Sequence, residues 1–162
     1  MSRRKDILSW GLVVFMLLLV GAAAVWVLGP QLFRPHTTIR LGDGVFQAQV
    51  ADSDAEREKG LSGTPYLSQD QAMLFVYDSD GKWQIWMKDM NYAIDIVWLD
   101  KDKEVVYIVK NAQPESYPYE TFIPKRDARY VMELAAGTVD KKTITVGSKA
   151  AFDETQLEGW GI

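Results

Sequence analysis

An acid set inside an apolar run constrains this chain more than any other feature. Residues 94–99 read Ile-Asp-Ile-Val-Trp-Leu, and the acid is Asp95. The run has strand length and β-branched composition, and its neighbours 83–88 and 105–109 are apolar too. A strand of this kind is covered on both faces. A carboxyl group placed there is costly to bury unless something pairs with it. Period two puts Asp95, Val97 and Leu99 on one face and Ile94, Ile96 and Trp98 on the other. Just before the strand lies a polar knot, Lys88-Asp89-Met90-Asn91, which offers Lys88 as a partner across one short turn.

The rest of the chain reads as short strands between turns. Residues 45–50 form a strand. Ser53-Asp54-Ala55-Glu56 has the capping-box pattern and opens a short helix that carries Arg57 and stops at Gly60. Residues 72–77 make the next strand, and Asp78-Ser79-Asp80-Gly81 turns it back into 83–88 as a hairpin. The Asp78 and Asp80 pair lacks the later ligands and the closing glutamate of a calcium loop. Residues 94–99 and 105–109 form a further hairpin. The stretch 111–129 holds Pro114, Pro118 and Pro124 with Tyr117, Tyr119 and Phe122 between them, and reads as a packed covering loop. Residues 130–134 return as a strand with Glu133 and Val131 on one face. Residues 143–146 and 150–152 close the sheet. With no alternation of strand and helix, the expected fold is mainly β: an antiparallel sandwich or partly closed barrel with one short helix.

This β domain is expected over residues 39–153, followed by a polar tail, 154–162. Ahead of it, residues 1–6 carry Arg3, Arg4 and Lys5, and residues 7–29 contain no charge. At about 1.5 Å per residue that run crosses a hydrocarbon core of about 30 Å. The basic flank places the N-terminus in the cytoplasm and the β domain outside. A cleaved signal peptide with a site at Ala22-Ala23-Ala24 is the alternative, which would make the protein secreted. Residues 30–38, with Pro30 and Pro35, read as a stiff spacer.

Composition narrows the chemistry. The 162 residues include no cysteine and a single histidine, His36. Disulfides, thiol catalysis and zinc sites of the usual ligands are therefore excluded. Neither a metal nor a cofactor is expected. The net charge is −4 with scattered bases, which argues against nucleic acid as a partner.

Several motifs occur together in order: Arg57-Glu58-Lys59-Gly60-Leu61, Ala72-Met73-Leu74-Phe75-Val76, Trp86-Met87-Lys88-Asp89-Met90, Ile94-Asp95-Ile96, Val109-Lys110-Asn111-Ala112-Gln113-Pro114 and Tyr130-Val131-Met132-Glu133-Leu134-Ala135-Ala136-Gly137. This ordered set resembles the bacterial and archaeal family known as domain of unknown function 192. The resemblance covers about 45–152 and implies a small, mainly β domain, often behind a signal or anchor. It brings no established activity. Ser62, Ala93 and Glu115 depart from the family pattern, and the cysteine many members carry after the proline of the long loop is absent.

Three functions follow from these residues. The first is a membrane-tethered, extracytoplasmic binding or accessory module for a small polar ligand or an envelope component. Trp83, Trp86, Tyr117 and Tyr119 would line its groove. The second is a hydrolase of glycosidase type using an Asp95/Glu133 carboxylate pair, tuned by Lys88 or Arg57. The third is a structural partner of envelope proteins. Binding ranks above catalysis, because Arg57, Lys88, Asp95 and Glu133 also suit a structural ion-pair site. The expected partners are the lipid bilayer and an unidentified small polar ligand or envelope protein.

Overall fold

The computed structural model describes residues 15–19 and 36–157. The expected anchor, 7–29, lies outside the described residues except for 15–19, which are helical. Among the described residues no helix is long and apolar enough to cross a membrane.

The β domain is built on one mixed sheet of six strands: β1 (His36–Leu41), β2 (Gly44–Ala51), β3 (Gln71–Gly81), β4 (Ile94–Leu99), β5 (Val105–Ala112) and β6 (Ala128–Ala135). Their order across the sheet is β1-β2-β3-β6-β4-β5. Two short helices join it, α1 (Asp54–Lys59) between β2 and β3 and α2 (Thr138–Lys141) after β6.

This corrects the expected architecture in two respects. There is one sheet rather than two packed sheets. It is not wholly antiparallel either, because β2 and β3 run parallel, with Gln47 beside Gln71 and Ala51 beside Phe75. A parallel pair needs a crossover rather than a hairpin, and residues 52–70, including α1, supply it. The sheet does not close. Residues 149–151 touch both of its ends through isolated bridges, Ala151 with Arg40 of β1 and Lys149 with Glu104 beside β5.

Local chemistry accounts for the elements. Ser53 caps α1 with its side chain while Glu56 reaches back, the reciprocal arrangement foreseen for this motif. The β1–β2 turn needs glycine at 42: φ is +56°, and a Cβ there would lie 2.1 Å from the Lys142 carbonyl oxygen. β1 begins at His36, so Thr37 and Thr38 are strand residues rather than spacer. Residues 83–88 do not form a strand; their one β-bridge among the described residues is Ile85 with Phe122 of the long loop. Residues 143–146 are not a strand either.

The sheet is buried on both faces, as the composition of 94–99 requires. Every residue of β4 is buried. One face carries Ile39, Phe46, Val50, Leu74, Val97, Leu99, Met132 and Leu134, covered by Val139, Ile144 and Leu157. The other carries Met73, Phe75, Ile94, Ile96, Trp98 and Val131, covered by Leu61, Ile85 and Met87. Each large apolar side chain so buried contributes about 1.5–3 kcal/mol.

Candidate functional site

The two buried acids lie on opposite faces of the sheet. In the β4–β6 ladder Asp95 sits beside Leu134, while Glu133 sits beside Ile96. Side chains alternate along a strand. Asp95 therefore points with Val97 and Leu99 into the first face, and Glu133 points with Val131 and Ile96 into the second. The Asp95/Glu133 carboxylate pair does not exist, and a double-displacement or inverting mechanism built on it has no geometry.

Asp95 is 1% exposed and fully occupied. Its Oδ1 accepts a hydrogen bond from Asn111 N, and its Oδ2 accepts one from Val139 N, each at 2.9 Å. Val139 is the second residue of α2, where backbone N–H groups have no partner inside the helix. Asp95 thus fastens α2 and the end of β5 to the start of β4. It pairs with neither Lys88 nor Arg57, contrary to the expected ion pair.

Lys88 and Arg57 also act through other contacts. The Lys88 carbonyl accepts from Ser62 Oγ at 2.7 Å. Gly63 N donates to Asp89 O, and Asn91 Nδ2 donates to Thr64 O, both at 2.8 Å. The polar knot before β4 is a clamp that fastens 62–64 to 88–91 largely through backbone groups. Arg57 Nη1 donates to the carbonyls of Asp52 and Val76, the latter at 2.7 Å, and Nη2 pairs with Asp54 at 2.6 Å. Its guanidinium carbon lies 5.1 Å from the centre of the Tyr77 ring. Arg57 therefore holds α1 against the outer end of β3.

Glu133 has the opposite character. It is 4% exposed, between Met73 of β3 and Ile96 of β4, and its Oε2 has no hydrogen-bond partner. Among the described residues no ion pair reaches it. Burial pushes its carboxyl up to about 8, and no opposing charge pulls it back. Two tyrosines register its field. Burial raises Tyr77 to about 12; Arg57 opposes that shift and Glu133 adds to it. Burial also raises Tyr92, its hydrogen bond with Thr64 opposes the shift, and Glu133 again adds to it.

Glu133 has a cavity beside it. It lines a pocket of about 330 Å³ whose walls include Arg57, Gly60 and Leu61 from the crossover, Phe75 and Tyr77 from β3, and Ile85, Trp86 and Met90 from the next segment. Gly60 has φ +46° and faces Phe75, where an added Cβ would lie 3.1 Å from the ring. Glycine here both ends α1 and lets the helix approach the strand. Phe122 of the long loop backs the Ile85 wall through paired backbone bonds of 2.8 and 2.9 Å.

The expected aromatic groove does not assemble. Trp86 lines the pocket and is 45% exposed. Trp83 stacks on Tyr77 at 4.0 Å, and its carbonyl accepts from Trp98 Nε1 at 2.8 Å, so it packs rather than lines. Tyr117 and Tyr119 lie on the loop away from this pocket, and Tyr119 is 91% exposed. Composition gave no reason to single out Phe75, Tyr77 or Gly60. The available signals were Gly60 closing a helix directly ahead of an apolar residue, and the family motifs 57–61 and 72–76, which contain Gly60 and Phe75. Among the described residues no group of three or more acidic or histidine side chains converges as a metal would require.

These features define a class: a small β domain on a single mixed sheet, with a side pocket over a buried glutamate. The chain belongs to the DUF192 family, described as "Uncharacterized ACR", whose model matches residues 37–152. A UPF0127 protein of Thermococcus sibiricus is 30% identical over 109 residues, covering 66% of each chain. Another, from Pyrococcus furiosus, is 30% identical over 64 residues, covering 40% of this chain and 51% of its own. The chain thus spans just under two thirds of the first relative and about half of the second. Among solved structures, a Sinorhizobium meliloti protein provisionally described as a transcription regulator has TM-score 0.70 at 24% identity, covering 74% of this chain and 95% of its own. A Novosphingobium aromaticivorans protein of unknown function has TM-score 0.65 at 24% identity, covering 72% of this chain and 83% of its own. At these identities the likeness concerns the fold.

Proposed function

We propose that the β domain is a binding module, and that its small polar ligand occupies the pocket over Glu133. One observation carries this reading: a carboxyl group that is buried and unpartnered belongs to a residue lining a cavity of about 330 Å³. A buried polar group without a partner costs about 1–3 kcal/mol. A ligand that completes its hydrogen bonding recovers that energy on binding. Catalysis is not part of this reading, because the second acid it required faces the other side of the sheet. The module is tethered to a membrane by 7–29 and stands outside the cytoplasm; the uncharged run behind Arg3, Arg4 and Lys5 supports this placement.

The pocket is tested by thermal shift on the full chain, screened against sugars, amino acids, amines and small carboxylates. At a ligand concentration of about 100 Kd the expected stabilisation is about 2.7 kcal/mol. It should be lost in Glu133→Leu. No shift across the panel, or a shift that survives Glu133→Leu, overturns the proposal. The tether is tested by mass measurement of the protein recovered from membranes. An intact N-terminus is expected, and cleavage after Ala24 would overturn it.

A further inference from the structure

We infer that the ligand carries a nitrogen cation, a protonated amine or its like, that enters the pocket first and pairs with Glu133. This rests on the pocket reading above and names the ligand's chemistry.

The argument begins with what Glu133 lacks. The bases lining the pocket are Arg57 and Lys59. Arg57 is committed to two backbone carbonyls and Asp54. Lys59 is exposed on α1 and makes no ion pair among the described residues. The carboxyl is therefore an acid in apolar surroundings with its counter-charge missing. Its strand neighbours, Met73 and Ile96, supply no polar atom.

The candidate ligand charges separate on this background. An anion would bring a second negative group against a buried acid, which disfavours both. A metal ion needs several convergent oxygen ligands, and a single carboxylate does not provide them. A neutral amide could form hydrogen bonds but would not use the ionised form of the acid. A nitrogen cation pairs with that form where water is scarce and the attraction is strongest. The walls suit it as well. The rings of Phe75 and Trp86 line the approach, and aromatic faces attract cations. Tyr77 is already engaged by Trp83 and Arg57. The rim adds two acids, Asp54 and Glu58. A volume of about 330 Å³ limits the buried part to a small head group.

Pairing changes the protonation of the site. Glu133 enters the complex as carboxylate, so the proton it held leaves for the buffer while the ligand keeps its own. The titratable groups around it are Asp54, Arg57, Glu58 and Lys59 on α1, Tyr77 on β3 and Tyr92 ahead of β4. None is a carboxylate or ammonium in contact with Glu133 that would take up that proton.

The test is calorimetry on the full chain at neutral pH with three probes of one size: n-butylammonium, butyramide and butyrate. Butylammonium should bind at least about tenfold more tightly than butyramide, a gap of about 1.4 kcal/mol. Its heat, compared in two buffers of different ionisation enthalpy, should report release of close to one proton. In Glu133→Gln, which keeps the size and neutrality of the protonated acid, the preference and the proton release should both vanish. Circular dichroism of that variant checks the fold. Equal binding of amine and amide, or a preference for butyrate, with binding lost in Glu133→Leu, would overturn the cation while leaving the pocket standing. Retention of amine binding in Glu133→Gln would also overturn it. Failure of all three probes, with no hit in the thermal screen, would overturn the pocket as well.

Discussion

Asp95 and Glu133 are both acids, both almost wholly buried, and one residue out of step across neighbouring strands. They nevertheless do opposite things. Asp95 accepts two backbone N–H groups and fastens a helix end to the sheet. Glu133 has an oxygen with no partner and is one of the residues that line a pocket. Burial alone therefore does not distinguish an acid that fastens the fold from one left without a partner. The number of partners does, together with access from outside.

The contrast is easiest to break at Asp95. Asp95→Ala should leave the N–H groups of Asn111 and Val139 buried and unpaired, at about 1–3 kcal/mol each and more where the lost acceptor was charged. A destabilisation of about 3–5 kcal/mol in urea denaturation is the expected outcome. A loss below about 1 kcal/mol would mean that Asp95 is not the fastening point.

The next largest effect belongs to Glu133 and depends on pH. Its carboxyl titrates at about 8 when folded, against an ordinary value of 4.5. The folded state thus binds the proton more tightly than the unfolded chain. The stability this lends is fully present below about pH 4.5 and is lost as pH rises through about 8. Wild type should lose about 2–4 kcal/mol across that window relative to Glu133→Gln. Unfolding curves for both proteins at several pH values check this, and parallel pH profiles would remove Glu133 as the titrating group.

The smallest effect sharpens the comparison. Thr138 Oγ1 is also buried without a partner, but Thr138 belongs to α2, on the Asp95 side, and lines none of the pockets described for Glu133. Thr138→Val keeps the shape and removes the orphan hydroxyl. Stability should change little or rise by up to about 1 kcal/mol, with ligand binding unaltered. A loss of binding in this variant would show that an unpartnered atom matters without access from a pocket.

Much of the sheet was legible in the sequence because period-two patterning is strong there. The bounds and the two faces of β4 agree with the reading of 94–99, and the capping box at Ser53 located α1. What failed was whatever depended on register or on backbone partners. The face of each acid was readable strand by strand. That the two faces differ required the pairing of β4 with β6, which local pattern does not specify. Asp95 was expected to meet Lys88 or Arg57 because cations are visible in a sequence. The N–H groups that do bind it carry no side-chain signature. The parallel β2–β3 pair was missed because a short helix framed by turn residues reads as a pause in a meander. Residues 83–88 alternate like a strand, yet their apolar side chains pack while their backbone forms a β-bridge at Ile85 alone, with Phe122.

The short stretch 149–151 has a consequence for how the domain can meet its neighbours. Arg40 exchanges backbone hydrogen bonds with Ala151, and Val105 and Lys103 bond to residues 147–150. At these points the donors and acceptors that an incoming strand would require are already occupied by the chain itself. Polymerisation by edge-to-edge annealing is blocked there, and so is strand donation from another protein. At Arg40, Lys103 and Val105 any contact with another protein is thereby left to side chains rather than to the backbone.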